Sequence, residues 1–283
     1  MILQKEIRAL AETLKVPLDT IDKDYVLGHF LAEMFKQQWA RENFLFKGGT
    51  CLKKCYFEAY RFSEDIDATI TNPNFELTKK QIRDICNTIT RDVGIHFNII
   101  QFDKISFKDL QVGWDIKICF WGANHGKNDV PKFNKDCHTK IECDFRFYET
   151  IFFQKEEREL IHLFSDKEAV AIKIPCYSIS EVLAEKMRSL IQRNYGTPRD
   201  YYDLWYIKTH VQQINWVLIR DAFYAKCKYK QITFNGVDDF FKPERIKQVE
   251  NDWVKRLNHQ LPQKANMDDV INDLKLFFTQ LFK

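Results

Sequence analysis

The chain has 283 residues, of which 45% are hydrophobic and 24 are phenylalanine, enough apolar material for one large or two ordinary domains. Lys and Arg total 43 against 40 Asp and Glu, a formal charge of +3 that does not mark a nucleic-acid-binding protein. The charged N-terminal segment and the lack of a long apolar run argue against a signal peptide and a membrane span. We therefore expect a soluble, cytoplasmic protein without a membrane partner.

The first two predicted elements are packing helices. Residues 3–15 are amphipathic at helical spacing. From Tyr25 onward a second helix places one apolar face inward, formed by Leu27, Phe30, Leu31, Met34 and Phe35.

Segment 44–70 predicts a buried strand at 44–46, a glycine turn, a helix over 51–60 and a second strand over 65–70. The helix begins at Gly48-Gly49-Thr50. Glycines without a Cβ atom, next to the unpaired N–H groups of a helix start, let an anion approach closely. This turn is a candidate phosphate-binding site, although a Gly-Gly pair by itself is usually only a turn.

Asp65 and Asp67 alternate with apolar residues, so both carboxylates point to one face of the second strand. Adjacent carboxylates repel unless a cation lies between them, and Mg²⁺ binds carboxylate oxygens while keeping positions open for phosphates. Asp-x-Asp also occurs by chance in many strands. The turn and the acid pair are informative because they occur together.

In this order and spacing, the residues resemble the signature of the polymerase-β-like nucleotidyltransferase superfamily. The finer pattern is similar to the AbiEii-type nucleotidyltransferase family, the toxins of toxin–antitoxin and abortive-infection systems. Two phrases carry the resemblance: Lys47-Gly48-Gly49-Thr50-x-Leu52 and Arg61-x-Ser63-x-Asp65-Ile66-Asp67. The stretch 21–27 resembles the family's lead-in helix, whereas Ala68 stands where the family more often has a larger apolar residue.

The next part of the chain predicts further elements of a mixed sheet with packed helices. Residues 122–137 are rich in Gly, Asn, Lys and Pro and predict a loop, and 154–159 predict a charged helix or loop. The remaining predictions are a helix over 78–92 that ends at Gly94, and strands over 95–102, 114–120, 140–148 and 170–175.

Glu142 and Asp144 lie on one face of the strand over 140–148. The superfamily resemblance implies a third metal-binding carboxylate on a later strand. By the local phrase, Glu142 is the first candidate and Asp144 the second. The alternative without function is an exposed polar face on an edge strand.

Two helix starts follow, a capping box at Ser178 and Glu181, and a Thr197-Pro198 start. Leu183-Ala184-Glu185-Lys186 and Arg199-Asp200-x-x-Asp203-Leu204 resemble later motifs of the same family. The resemblance implies that Lys186 contacts nucleotide phosphates, supported by Asp203, with Asp200 as the competing choice. Without a function, Lys186 is a solvated helix residue and Asp200 a capping acid.

The rest of the chain predicts amphipathic helices that form a small bundle. Its basic residues could form an acceptor-binding rim, but their pattern favours a solvated face: Lys226, Lys228, Lys230, Lys242, Arg245 and Lys247. The fold prediction is α+β, with a polymerase-β-like nucleotidyltransferase domain over 1–176 and a helical bundle over 177–283.

The eight cysteines form no Cys-x-x-Cys pair, and Cys137-His138 lacks a second pair at zinc-site spacing. Several lie in apolar stretches, where a reduced cysteine acts as a small hydrophobic residue. We therefore expect free buried thiols rather than a structural metal.

The resemblance implies a nucleotidyltransferase that moves an NMP from an NTP to an acceptor hydroxyl. Its partners would be an NTP, an RNA, tRNA or protein acceptor, and a cognate antitoxin. Asp65, Asp67 and Glu142 or Asp144 would bind Mg²⁺ or Mn²⁺. The implied nucleotide-binding residues are Lys47, Gly48, Gly49, Thr50, Ser63 and Lys186.

Three other functions are compatible with parts of this pattern. A nucleotide-binding protein of the same fold would lack the metal acids or the lysine. A glycosyltransferase also uses Asp-x-Asp with a metal, but without a preceding Gly-Gly-Thr helix. In a non-enzymatic scaffold, residues 44–70 would fold only as part of the core.

Overall fold

The computed structural model describes residues 1–126, 128–133 and 139–283. The chain forms two compact units, Met1–Glu149 with Lys155–Cys176, and Thr150–Gln154 with Tyr177–Lys283. The predicted loop over 122–137 lies partly outside the described residues, and Cys137-His138 lies wholly outside them. Within the described ranges, no helix is both long and apolar enough to cross a membrane.

The first unit is built on a mixed sheet of seven strands in the described part of the chain, in the order β3-β4-β5-β2-β1-β7-β6. β2 is parallel to β5 and β1 is parallel to β7, and the other neighbours are antiparallel. The strands are β1 (Phe44–Lys47), β2 (Asp65–Ile70), β3 (His96–Phe107), β4 (Leu110–Trp121), β5 (Lys140–Arg146), β6 (Glu156–Glu159) and β7 (Lys173–Cys176).

The longest helix described in this unit, Leu18–Lys36, contacts three α-helices, the short 3₁₀ helix Lys167–Val170 and β5. Most of its residues are buried, which explains why it is apolar on more than one face. The helices are α1 (Gln4–Leu14), α2 (Leu18–Lys36), α3 (Gln38–Asn43), α4 (Gly48–Cys51) and α5 (Lys79–Val93). The predicted mixed sheet with packed helices is confirmed.

Three local predictions need correction. The helix predicted over 51–60 ends earlier, because α4 continues only as a π-helical turn over Leu52–Tyr56. β3 and β4 are longer than predicted, because they meet in a hairpin turn at Lys108 and Asp109, both with positive φ. The charged stretch near 154–159 forms the edge strand β6, where charged side chains discourage pairing with other chains.

A buried ion pair joins α2 to the π-helical turn. The Nζ atom of Lys54 lies 2.6 Å from Oδ2 of Asp24, and the side chains are 1% and 2% exposed. Breaking such a pair from one side leaves an uncompensated charge in the core.

We expect Lys54→Ala to lower the free energy of unfolding by about 3–5 kcal/mol, because Asp24 then loses its buried cation. Chemical denaturation measures the change. The matched control is Lys80→Ala, which removes an exposed Lys–Asp pair with Asp84 at 2.6 Å, and should cost less than about 1 kcal/mol. Equal effects of the two substitutions would contradict the expectation.

The second unit is a helical bundle, as predicted. Its core includes a cluster of contacting phenylalanine rings from three parts of the unit: Phe223, Phe234, Phe240, Phe278 and Phe282. The helices are α6 (Ile179–Gln192), α7 (Pro198–His210), α8 (Trp216–Tyr229), α9 (Pro243–Arg256) and α10 (Met267–Leu281).

Only half of the predicted capping box forms at the start of α6. The Ser178 hydroxyl accepts from the N–H of Glu181, but the Glu181 carboxylate accepts from the N–H groups of Phe152 and Phe153. Glu181 also pairs with Lys226, which is 2% exposed. Arg245 is buried as well, so neither basic residue can belong to a surface rim.

The cysteine prediction holds for six residues, which are free and buried: Cys51, Cys55, Cys86, Cys143, Cys176 and Cys227. Cys119, by contrast, is disulfide-bonded.

Candidate active site

The strand register brings the predicted acids together in the first unit. In the parallel pair of β2 and β5, Asp65 lies opposite Glu142 and Asp67 opposite Asp144. The intervening Ile66 and Cys143 are buried, so the four acidic side chains share the other face of the sheet. Period-two alternation predicted one acidic face on each strand, and the register places these two faces side by side.

A fifth acid, Asp115 on β4, pairs in register with Asp144. Arg146 bridges the two, with Nη2 2.6 Å from Asp115 and Nε 3.1 Å from Asp144. Sequence reasoning missed Asp115. The sequence feature that could have identified Asp115 is its position between the apolar residues Trp114 and Ile116, which are buried. This alternation puts the Asp115 side chain on the same face as the acids of β5.

The two candidates for the third carboxylate have different surroundings. Burial and the negative charges of Asp115 and Asp65 raise the pKa of Asp144, and this outweighs the opposing effect of Arg146. Each acid also has a cation partner, since Glu142 pairs with Lys140 at 2.9 Å between Nζ and Oε1 and Asp144 pairs with Arg146. The carboxyl group of Asp144 thus experiences the negative potential of the acid cluster, which a cation would relieve.

The glycine turn lies directly against this cluster. Lys47, the last residue of β1, pairs in register with Asp67. Gly48 follows with φ of 80°, and a Cβ atom there would lie 2.2 Å from Oδ2 of Asp67. A side chain at Gly48 is therefore excluded by both conformation and space.

The next residues attach the turn to the approach to β2. A Cβ atom on Gly49 would lie 2.4 Å from Nη2 of Arg61 and 2.9 Å from Oγ of Ser63. The hydroxyl of Thr50 donates to the carbonyl oxygen of Asp65. Thr50 thus joins the glycine turn to the acid strand, and its hydroxyl proton is already used in that contact.

We expect Gly48→Ala to reduce nucleotidyl transfer far more than stability, because the new methyl group displaces the Asp67 carboxylate. The matched control is Gly94→Ala. Gly94 has φ of 84° but no atom within 4 Å of the added Cβ, so that variant carries only the backbone penalty of about 1 kcal/mol. Activity should fall only for Gly48→Ala; parallel losses of activity and stability in both variants would refute the steric argument.

Since the pKa of Asp144 is raised in the metal-free protein, protons should compete with the metal for this carboxylate, and we expect activity at limiting metal to fall on acidification at a higher pH than an ordinary carboxyl group, near about 3.9, would give. Asp115→Asn removes a neighbouring negative charge and should shift this acid limb to lower pH. A pH–rate profile of both proteins measures the shift. The stability effect has the opposite sign: the folded state holds this proton more tightly than the unfolded chain, so protonating Asp144 favours folding. An unmoved limb would exclude Asp144 as the titrating group.

The second unit brings Lys186 together with both of its candidate acids. Its Nζ atom lies 2.8 Å from Oδ1 of Asp200 and 2.7 Å from Oδ2 of Asp203. The side chains are 11%, 9% and 0% exposed, respectively. Lys186 is therefore not a solvated helix residue, and the two acids do not compete for it.

Asp200 is held in its charged form by its partners. Burial alone raises its pKa, but Lys186, Arg193 and the hydroxyl of Thr197 lower it well below the ordinary value. Arg193 contacts the oxygen of Asp200 that Lys186 does not use. Asp200 thus contacts two cations, Lys186 and Arg193. Asp203 also contacts Lys186, and its side chain is more buried than those of Lys186 and Asp200.

A family model for the nucleotidyltransferase AbiEii toxin of type IV toxin–antitoxin systems matches residues 29–273. The chain belongs to the AbiEii nucleotidyltransferase toxin family. The match includes the glycine turn, the acid strands and the Lys186 group, and it confirms both the resemblance and the prediction of a nucleotidyltransferase.

A solved structure supports the fold, and a second match is weaker. MenT4, a nucleotidyltransferase toxin from Mycobacterium tuberculosis H37Rv, is 17% identical with a TM-score of 0.59, and the match covers 100% of both chains. An antigenic nucleotidyltransferase-like protein from Paracoccidioides brasiliensis is 14% identical with a TM-score of 0.35, covering 74% of this chain and 89% of that one. No curated protein matches the chain.

Proposed function

We propose that this AbiEii family member transfers a nucleoside monophosphate from an NTP to an acceptor hydroxyl in a reaction that depends on Mg²⁺ or Mn²⁺. The observation that carries the proposal is the register of β2 and β5, which sets Asp65 and Asp67 opposite Glu142 and Asp144. The glycine turn lies against the Asp67 carboxylate, since a Cβ atom on Gly48 would lie 2.2 Å from Oδ2 of Asp67. A metal-binding face and a close approach for phosphates therefore share one location.

The donor set fits a hard divalent cation. It consists of carboxylate oxygens, which Mg²⁺ and Mn²⁺ prefer. Burial, together with the negative charges of Asp115 and Asp65, raises the pKa of Asp144, and a bound cation would stabilise its charged form. Asp65, Asp67 and Asp144 would hold the metal, with Asp144 favoured over Glu142 because Asp144 lies opposite Asp67, the acid that the glycine turn contacts. When bound, the metal supplies neutralisation of charge on the reacting phosphates.

The glycine turn would bind the phosphates through its backbone. Without Cβ atoms at Gly48 and Gly49, phosphate oxygens can reach the N–H groups at the start of the helical segment 48–56. Ser63 and Arg61 lie against Gly49 and would position the turn or contact a phosphate. Thr50 would act through its N–H group, since its hydroxyl donates to Asp65.

Lys186 is proposed to neutralise charge on the phosphates, the role that its motif implies. Asp200 and Asp203 hold its ammonium group from two sides, which fixes the side chain before a substrate binds. Positioning and charge neutralisation supply most of the rate in phosphoryl transfer, because little covalent chemistry is left for the protein.

The acceptor is proposed to be RNA, with tRNA as the leading class and protein as the second, and a cognate antitoxin would restrain the activity. The test is to incubate the protein with each NTP labelled at the α-phosphate, Mg²⁺ or Mn²⁺, and total RNA, beside Asp65→Asn/Asp67→Asn. Label in RNA that needs both acids and the metal supports the proposal and identifies the NTP. Label in the protein fraction assigns a protein acceptor.

Binding of NTP without transfer to any acceptor would favour a nucleotide-binding protein of the same fold. Equilibrium dialysis with each NTP, with and without Mg²⁺, detects this outcome. Transfer that persists after chelation of divalent ions, or in the double Asn variant, would overturn the assignment of the acids.

A further inference from the structure

Three cysteines of the first unit come together behind the glycine turn. Cys51 ends α4, Cys55 lies in the π-helical turn, and Cys176 ends β7. Their sulfur atoms all lie within 4.8 Å of one another, and the residues are 0%, 3% and 0% exposed. Segments far apart in sequence therefore converge on one small group of sulfurs.

Packing alone does not require this arrangement. Cys86, Cys143 and Cys227 are also buried and free, yet in the described ranges none of them joins a group of three possible metal ligands. A thiol is a weak hydrogen-bond donor and acceptor, so a small hydrophobic residue gains little from two further sulfurs. The π-helical turn adds a second sign, because such turns occur frequently at functional sites.

The surroundings favour a thiolate at Cys176. Hydrogen bonds from the thiols of Cys51 and Cys55 lower its pKa, as do the hydroxyl of Tyr56 and the positive charge of Arg158. The Tyr56 oxygen lies 3.7 Å from the Cys176 sulfur. The guanidinium of Arg158 lies 4.7 Å from the centre of the Tyr56 ring, and its Nε donates to the carbonyl oxygen of Cys55 at 3.3 Å.

The dimensions suit one ion. Sulfurs bound to a single Zn²⁺ at about 2.3 Å lie roughly 3.8 Å apart, so these three need to contract by less than about 1 Å. We propose that Cys51, Cys55 and Cys176 form a binding site for one thiophilic ion, Zn²⁺ or Cu⁺, separate from the carboxylate site.

Binding exchanges protons for the ion. Burial raises the pKa of the Cys51 thiol, and the contact with Cys176 raises that of Cys55. Both thiols are deprotonated as the metal–sulfur bonds form. Tyr56 then donates to the Cys176 sulfur as an outer partner and steadies the ligand. The ion would connect β7 to the helical segment that begins at the glycine turn.

The test uses the full chain, reduced with a phosphine and stripped of metal, and titrated separately with Zn²⁺ and, without oxygen, with Cu⁺. Competition with a coloured chelator gives stoichiometry and affinity, and X-ray absorption gives the ligand atoms. We expect one ion per chain bound by sulfur, and a loss of affinity above about 100-fold in Cys176→Ala and Cys55→Ala. Cys86→Ala, another buried free cysteine, should bind as the unchanged protein does.

The separate titrations identify the ion, because sulfur-bound metal in only one of them assigns the site to Zn²⁺ or to Cu⁺. Circular dichroism checks that each variant is folded. Cys55→Ala serves if Cys176→Ala does not fold, since Cys55 lies in a short turn rather than in the sheet. Two results would overturn the proposal: a folded, reduced protein that binds neither ion through sulfur, or sulfur ligation, seen by X-ray absorption, that survives in Cys51→Ala/Cys55→Ala/Cys176→Ala. Neither result depends on nucleotidyl transfer.

Discussion

Replacing Asp65 or Asp67 by Asn is expected to lower nucleotidyl transfer by about 10²- to 10⁴-fold while the fold stays intact. Each carboxylate is proposed to bind the metal, and losing one ligand removes about 3–6 kcal/mol of transition-state stabilisation. Asn keeps the shape of Asp but loses its charge. Both acids lie at a partly exposed face of the sheet, so the free energy of unfolding should change by only about 1 kcal/mol.

The matched control is Asp109→Asn, an exposed acid in the turn between β3 and β4. It carries the same chemical change outside the paired residues of the sheet, and Asn adopts the positive φ of this position as Asp does. Initial rates with the labelled NTP, at several metal concentrations, compare the three variants with the unchanged protein. If higher Mn²⁺ restores part of the rate in Asp67→Asn while Asp109→Asn keeps the rate of the unchanged protein throughout, the defect lies in metal binding. Activity within about threefold of normal in Asp65→Asn would remove that residue from the site.

The acid strand and the glycine turn were predictable because they depend on short-range rules. Alternation along a strand sets the face of Asp65 and Asp67. Their spacing from Gly48 and Gly49 then carried the family resemblance, which the family model confirms. The same alternation rule applied to 114–116 would have found Asp115, had the pairing of β4 with β5 been known.

Other features depend on pairing between distant segments. Nothing local shows that Glu181 caps residues 152–153 instead of its own helix, or that Lys226 is buried beside it. The stretch 156–159 has no apolar alternation, and it becomes a strand because β7 offers it a partner. The convergence of Cys51, Cys55 and Cys176 likewise follows from the parallel pairing of β1 with β7, which no spacing rule supplies.

The choice between Asp200 and Asp203 also needed the structure. One turn of helix separates them, so either could have faced Lys186 by spacing alone. Both contact it, and they differ in burial, since the side chain of Asp203 is 0% exposed and that of Asp200 is 9% exposed. Removing the Asp203 carboxylate therefore changes the charge around Lys186 where water screens it least.

Lys186→Met is expected to have two separable effects. It removes the cation that Asp200 and Asp203 share at 2.8 and 2.7 Å, which should lower the free energy of unfolding by about 3–5 kcal/mol. It should also lower transfer by about 10²-fold at a temperature where the protein remains folded, because the phosphates lose a positive charge. Asp203→Asn keeps the lysine and should cost stability with a smaller loss of rate.

Lys226→Met separates these two effects, because Lys226 forms a buried pair with Glu181 in the same unit and has no proposed contact with substrate. Its stability loss should match that of Lys186→Met, whereas its rate per folded molecule should stay normal. Denaturation curves and initial rates over a range of NTP concentrations measure both quantities for the three variants. If Lys186→Met and Lys226→Met lose rate only in proportion to their unfolded fraction, Lys186 is a structural residue and the phosphate contact must be assigned elsewhere. If only Lys186→Met loses rate, with a raised KM for the NTP, its ammonium group acts on the nucleotide, and Asp203 serves to hold it there.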